Sequence, residues 1–368
     1  MLFREIPGLD AIKQALTQAV QHNHVAHAQL FHGMVGSGNL ALAIAFATYL
    51  NCEDRQADDA CGQCASCLKM SRLVHPDVHH IFPVPSAKDE IATLTPLWRT
   101  FLLERPYRSL TEWLDYAGAK GNQQGIIPIK EAHGLMQKIS LKAYEGEFKI
   151  LLIWLPELMN IESANALLKS LEEPPAKTIF LLVCNDANKL LTTILSRTQR
   201  VAIPAFKQED LTMYLAEKQQ LDPKRAKQIA YLSEGSLSKA VVLSTNEDKD
   251  QHEWFANWMR QCYKPDFQQL VLLADVFDAQ NKEAQKGLLA YGLSIFRDLF
   301  LYQSGASDLV RLEGLELDFV QKFSKVIKSE RVERIVDELN TAHYHLERNA
   351  RAKIVFLDLS LTVAKLMK

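Results

Sequence analysis

Apolar residues along the chain follow two regimes that change over near residue 205. Before that point, short continuous apolar runs alternate with stretches of helical spacing. Leu9, Ile12, Leu16 and Val20 recur at three- and four-residue intervals behind Asp10, which predicts an amphipathic helix over residues 8–22. Ala28 to His32 is a short apolar run and predicts a strand. It leads into the tight loop Gly33-Met-Val-Gly36-Ser-Gly38, followed by an apolar run of helix formers over residues 41–50. Val78 to Val84, Phe148 to Trp154, Thr178 to Cys184 and Val201 to Ile203 read as further strands. Helical patterns separate them at Ile129 to Leu141 and at Ile161 to Glu173. The latter sets Ile161, Ala164, Leu167, Leu168 and Leu171 on one face and stops at Pro174-Pro175, since proline lacks the donor and restricts the residue before it. Continuous apolar strands with helices between them predict a parallel sheet covered on both faces.

Residues 85–125 interrupt this alternation. They carry two helical stretches, Thr95 to Leu103 and Leu110 to Tyr116, and a polar turn at Gly121 to Gly125, and they read as an insertion of unassigned role. After the changeover no strand is expected. A small helical unit over 206–245 and a larger all-α unit over 246–368 follow the α/β domain at 1–205. With 368 residues, the chain exceeds what one hydrophobic core supports, so two or three domains are expected.

Charge and composition narrow the function. A formal net charge of −2 lacks the basic excess of an autonomous nucleic-acid binder, so DNA contact would be local or shared with partners. The longest apolar stretches, such as Ile150 to Leu155, are far too short to span a bilayer. The opening residues carry charge and run straight into a helical pattern. No signal peptide is expected, and the location expected is cytoplasmic, where thiols stay reduced.

The loop from Gly33 to Gly38 has the spacing and the strand–loop–helix setting of a phosphate-binding P-loop. Such a loop also needs a lysine for the terminal phosphates and a hydroxyl for magnesium. Asn39 and Leu40 stand at those positions. A nucleotide hydrolase further ends a buried strand in an acidic pair for magnesium and water. Here the strand through Ile153 runs into Trp154-Leu155-Pro156-Glu157, and both acidic positions are apolar. Glu157 lies two residues beyond and is expected to be a solvated residue at the start of a helix. Gly33, Gly36, Gly38 and Asn39 are therefore read as vestiges, with no functional ATP site expected.

Cys52, Cys61, Cys64 and Cys67 form C-x8-C-x2-C-x2-C within 16 residues. In a reducing compartment this spacing points to a structural zinc ion with four thiolate ligands and no open catalytic position. Cys184 and Cys262 are expected in the core, and His75, His79 and His80 have no necessary ligand role.

These motifs together resemble the delta prime family of bacterial DNA polymerase III clamp-loader subunits, which are AAA+ proteins. The resemblance rests on Ile6-Pro-Gly-Leu9, His27-Ala-Gln-Leu-Phe31, the glycine loop, the cysteine module and His75-Pro76-Asp77. It continues in Ser163-Ala-Asn-Ala-Leu-Leu-Lys-Ser-Leu-Glu-Glu-Pro-Pro175, Leu190-Leu-Thr-Thr-Ile-Leu-Ser-Arg-Thr198 and Gly235-Ser-Leu-Ser-Lys-Ala240. It covers residues 1–245 well; beyond them it rests on helical character and on Leu346-Glu-Arg-Asn349. The resemblance implies an AAA+ P-loop domain with an inserted zinc module, a helical lid, and an all-α collar that builds a ring. It implies a component of the DNA polymerase III holoenzyme without ATPase activity of its own, working beside tau/gamma and delta subunits to load a sliding clamp on primed DNA. Ser196-Arg197-Thr198 resembles a Ser-Arg-Cys motif, which implies that Arg197, with Ser196, reaches a neighbouring subunit's ATP as a finger. The residues alone also allow Arg197 to be no more than an ion pair with Glu172 or Glu173. Lys239 lies where a relative has a sensor arginine and is expected to be solvated; Asn185 matches the sensor-1 position. Two rival readings are an active clamp-loader ATPase and a zinc-dependent DNA-binding protein.

Overall fold

The computed structural model describes every residue except 105, 120–122, 129–133, 135–142, 246–247, 281, 307–308, 311, 313, 349 and 368. The helix expected at 129–141 and Asn349 of the C-terminal motif lie outside the described residues. The chain divides into two compact units. The first is Met1–Tyr214 with Gly235–Ser238; the second is Leu215–Glu234 with Lys239–Lys368.

The first unit is built on five parallel strands: β1 (Ala28–His32), β2 (Val78–Ile81), β3 (Lys149–Trp154), β4 (Thr178–Cys184) and β5 (Gln199–Ala202). Their order across the sheet is β2-β3-β4-β1-β5, so β4 separates the strand that delivers the glycine loop from the strand where an acidic pair would stand. Leu30 of β1 pairs with Leu182 of β4, and Leu151 of β3 with Phe180. Every residue of β3 and β4 is buried, as their unbroken apolar sequence requires of strands covered on both faces. The last strand starts two residues earlier than its apolar signal. Gln199 and Arg200 sit on the sheet edge, largely exposed, yet pair with Gln29 and Leu30. An edge strand has one free flank, so polar side chains hide it from a hydrophobic pattern.

Helix α1 (Asp10–Gln21) precedes β1, and α2 (Asn39–Leu50) follows the glycine loop. All twelve residues of α2 are buried, and it packs on β1, β3, β4 and α1. Fully burying side chains such as Leu42, Phe46 and Leu50 contributes about 1.5–3 kcal/mol each, which makes α2 the pillar behind the loop. Helix α3 (Ala65–Ser71) closes the cysteine module. The insertion contributes α4 (Ile91–Glu104) and α5 (Leu110–Tyr116), close to the two stretches expected. Its ends meet: Val84 and Ile126 exchange backbone hydrogen bonds of 2.9 and 3.0 Å in an antiparallel bridge. Aromatic rings fasten the excursion to the sheet. Trp98 stacks on Phe82 at 4.5 Å between centroids, meets Trp113 edge-on at 5.0 Å, and lies 4.9 Å from Trp154 at the end of β3. Trp113 also donates from Nε1 to the carbonyl of Pro83 at 2.7 Å.

Helix α6 (Ile161–Glu172) starts at Asn160, whose side chain accepts the amide of Ser163 at 2.8 Å, and it ends against the proline pair. The second unit is helical in every regular element described. Its core joins Phe255, Trp258, Phe277, Phe296 and Phe356, and Trp258 donates to Ser360 Oγ at 2.9 Å. Cys262 is buried there, as expected, and burial pushes its thiol up to about 12. Among the described residues, no helix is long and apolar enough to cross a membrane.

Candidate functional site: a closed glycine loop, an exposed arginine and a four-cysteine cluster

At the loop, the backbone of Gly36 lies in the left-handed region (φ +79°), which glycine adopts without steric cost. Asn39, 5% exposed, turns inward. Its Nδ2 donates to the carbonyl of Cys184 at 3.2 Å and to Asn185 Oδ1 at 3.3 Å, while its Oδ1 accepts the amide of Leu40 at 2.8 Å. The side chain at the lysine position is thus neutral, buried and spent on the end of β4. Leu40 is buried too. At the acidic-pair positions, Trp154 and Leu155 are 3% and 2% exposed and carry no group that ligates a metal. Asn185, matched to the sensor position, is half-buried and accepts from Asn39.

Glu157 is not solvated. Its Oε1 accepts the amide of Asn185 at 2.9 Å, and its Oε2 is buried with no hydrogen-bond partner. Burial pushes its carboxyl above the ordinary range, although the Asn185 amide opposes the shift. The sequence hid this because the chain after Leu155, itself at φ +57°, folds back as a short 3-10 turn over Pro156–Leu158. Cys184 is buried in β4, and burial raises its thiol to about 12, with Glu157 adding to the effect.

A second segment closes over the loop: it belongs to the stretch Gly235 to Ala240 that carries part of the family resemblance, although no contact with the loop was expected of it. The amide of Leu237 donates to the carbonyl of Gly36 at 2.9 Å, and Ser236 Oγ donates to the carbonyl of Val35 at 3.1 Å. A Cβ added at Gly36 would lie 2.1 Å from Ser236 Oγ and 2.9 Å from Ser238 Cβ. Ser238 therefore faces the loop, whereas Lys239 pairs with Glu234 at 3.4 Å. No spacing rule pointed to Ser236 or Ser238, since two serines in a turn are ordinary composition.

Arg197 follows the four-residue helix α7 (Thr192–Leu195). Its Nε donates to Glu172 Oε1 at 2.7 Å, and Nη1 donates to the carbonyl of Thr193 at 2.8 Å and to Ser196 Oγ at 3.2 Å. The ion pair with Glu172 allowed by the residues alone is present, with side chains 32% and 48% exposed. A pair this open is worth about 0–1 kcal/mol and leaves the guanidinium free to change partners. Thr198 bonds back to the carbonyl of Ile194 at 3.1 Å, so it closes the turn without touching the arginine head.

The four cysteines converge as the spacing predicts, with their sulfurs all within 4.8 Å of one another. Cys52 and Cys61 Sγ are 3.6 Å apart and Cys61 and Cys67 Sγ 3.9 Å. Zinc–sulfur bonds of about 2.3 Å in a tetrahedron set sulfurs about 3.8 Å apart, so the cluster is compatible with a structural metal such as zinc. The amides of Gln63 and Cys64 donate to Cys61 Sγ at 3.4 and 3.3 Å and lower its thiol to about 7. All six cysteines are free of disulfides. His75, His79 and His80 are not among the clustered ligands. His75 and Asp77 have structural work instead. His75 Nδ1 accepts the amide of Asp77 at 3.2 Å. Burial would raise the Asp77 carboxyl, but the amides of Glu145, Gly146 and Tyr144, 2.6 to 2.8 Å away, hold it below its ordinary value. This ties the approach to β3 onto the start of β2.

A parallel α/β domain with a glycine loop between strand and helix, a four-cysteine module and a following helical region has the architecture of a P-loop-type α/β protein. A family model described as DNA polymerase III, delta subunit, matches residues 8–207, and the chain belongs to that family, in its delta prime group. The chain is 34% identical over 193 residues to the delta prime subunit of Yersinia pestis, covering 52% of this chain and 45% of that one. It is 26% identical to the Escherichia coli K12 delta prime subunit over 251 residues, covering 68% and 64% of the two chains. Against the tau subunit of Bacillus subtilis strain 168 it is 23% identical over 376 residues, covering 96% and 60%. The chain spans about half the length of the curated relatives it matches. A solved DNA polymerase III gamma subunit-related protein of Thermotoga maritima superposes with a TM-score of 0.42 at 15% identity, covering 97% of this chain and 99% of that one.

Proposed function

We propose that this delta prime family member is a non-hydrolysing stator of the DNA polymerase III clamp loader, working in the cytoplasm beside tau/gamma and delta subunits to load the sliding clamp on primed DNA. The observation that carries this reading is Asn39, buried and fully hydrogen-bonded where a phosphate-binding lysine would have to reach outward. Trp154 and Leu155 support it at the other half of the former site. The ATP would belong to neighbouring subunits, and Arg197, steadied by Ser196, would complete one of their sites. Arginine suits that role because its fork stays charged and pairs with phosphate oxygens. Residues 1–205 would form the ATPase-like domain, 206–245 the lid and 246–368 the ring-building collar.

The test is reconstitution of the loader with Arg197→Ala. Loss of DNA-stimulated ATP turnover with intact assembly is expected, and unchanged turnover and clamp loading would overturn the finger. Cys52, Cys61, Cys64 and Cys67 would hold zinc with no open position, so the metal would serve folding alone. Purified chain should carry about one zinc per molecule. Chelation should lower the melting temperature by about 2–4 °C or more, which is what about 1 kcal/mol yields in a domain of about 150–250 residues.

A further inference from the structure

Residues 85–125 have no role in the reading above, yet part of them reaches the glycine loop. Tyr107, 7% exposed, sets its ring edge-on to Phe206 at 6.0 Å and to Tyr214 at 6.4 Å. The amide of Phe206 donates to the carbonyl of Gly235 at 3.0 Å, and a Cβ added at Gly38 would lie 3.2 Å from the Phe206 ring. Further along, Glu112 Oε2 accepts Ser238 Oγ at 3.3 Å. That carboxylate is already fixed. It accepts the amide of Ser109 at 2.7 Å in a reciprocal capping box at the start of α5, and Arg108 lies 4.0 Å from its other oxygen. The insertion therefore touches the turn Gly235–Ser238 directly at Ser238 and reaches its other end through Phe206, and Trp113 holds that insertion against Pro83 beside the sheet.

We propose that residues 107–116 are a resident strap that holds the turn Gly235–Ser238 down on the glycine loop and keeps the former nucleotide cleft shut. The turn's own grip on the loop consists of the bonds from Ser236 and Leu237. Hydrogen bonds of this kind open readily when nothing covers them. The strap adds a charged acceptor at one end of the turn and, at the other, a buried ring that backs Phe206, the residue bonded to Gly235. The Tyr107 hydroxyl is buried with no hydrogen-bond partner among the described residues, so the holding is assigned to the ring and not to the oxygen.

Hydrogen exchange of the full chain, followed at residues 36–39 and 236–240 with β4 as reference, tests the strap. Ser238→Ala should speed exchange of the turn about five-fold, Glu112→Gln, whose amide oxygen still serves Ser109 and Ser238 but without the charge, should speed it about two-fold, and the two together no more than Ser238→Ala alone. Tyr107→Ala should speed it about ten-fold or more, whereas Tyr107→Phe should leave it unchanged. Unchanged exchange in Ser238→Ala and Glu112→Gln overturns the strap, as does full additivity of the two. If Tyr107→Ala loses protection equally in β4 or fails to fold, the Ser238 and Glu112 pair still decides. A Tyr107→Phe variant that opens the turn also overturns the assignment to the ring.

Discussion

The glycine loop and the Arg197 turn lie on the same domain and have opposite designs. At the loop, Asn39 is turned inward, its amide spent on the end of β4, and Leu40, Trp154 and Leu155 are buried around it. At Arg197 the charge stays at the surface, held by Glu172 and by short bonds to its own turn. Burial has made the first region part of the core, where a change costs stability. Exposure has kept the second region adaptable, where a change costs little stability and acts on interaction instead. The contrast bears on the proposed division of labour, because a group that is to meet a partner's phosphate has to remain accessible and charged.

The largest effect that tests this contrast belongs to Arg197. In the assembled loader Arg197→Ala should slow hydrolysis at the adjacent ATP site by about 10³ or more, as loss of such fingers does in other phosphoryl-transfer systems. The isolated variant should melt within about 0.5 kcal/mol of the parent, since the pair it breaks is open to solvent. A variant that unfolds while leaving hydrolysis alone would invert the comparison. Next comes Asn39→Lys, the apparent repair of the loop. It should destabilise the isolated chain by about 3 kcal/mol or more, because it buries a charge with no partner. It should not confer magnesium-dependent ATP binding by calorimetry, since Leu40 and Trp154 supply no metal ligand. Tight binding by that variant would show the cleft to be open. The smallest change, Gly36→Ala, adds one methyl group against Ser236 at a backbone angle that disfavours it. A loss of about 1–3 kcal/mol in a denaturant titration is expected, and a neutral result would mean that the turn is not seated on the loop.

Much of this was legible in the sequence for reasons that have physical sources. Strands β3 and β4 are buried on both faces, so their apolar runs stand out, and four thiols in 16 residues have few other uses in a reducing compartment. The loss of the lysine and acidic positions is a change of residue type and needs no coordinates. The edge strand β5 was displaced because its exposed flank tolerates Gln199 and Arg200. Glu157 was misplaced because the left-handed backbone at Leu155 turns the chain back on itself, which side-chain type does not announce. The closure of the loop by Ser236 and Ser238, and its link to Glu112, joins residues more than a hundred positions apart through small polar contacts. Such contacts leave no periodic signal. The capping box at Ser109 and Glu112 was readable in principle, but not the second duty of that carboxylate.

The bridge between Val84 and Ile126 carries one more consequence. The excursion is pinched at its base by this one antiparallel bridge, which lies outside the named strands, so length added between Val84 and Ile126 need not disturb the pairing of β2 with β3. Lengthening such a closed excursion costs only about 0.6 kcal/mol per doubling. At its tip-side turn Gly118 has open space around it, with no atom within 4 Å of an added Cβ. That makes the excursion a modular graft: evolution can enlarge it, and an experimenter can splice a reporter at Gly118, with the strand register left as it is.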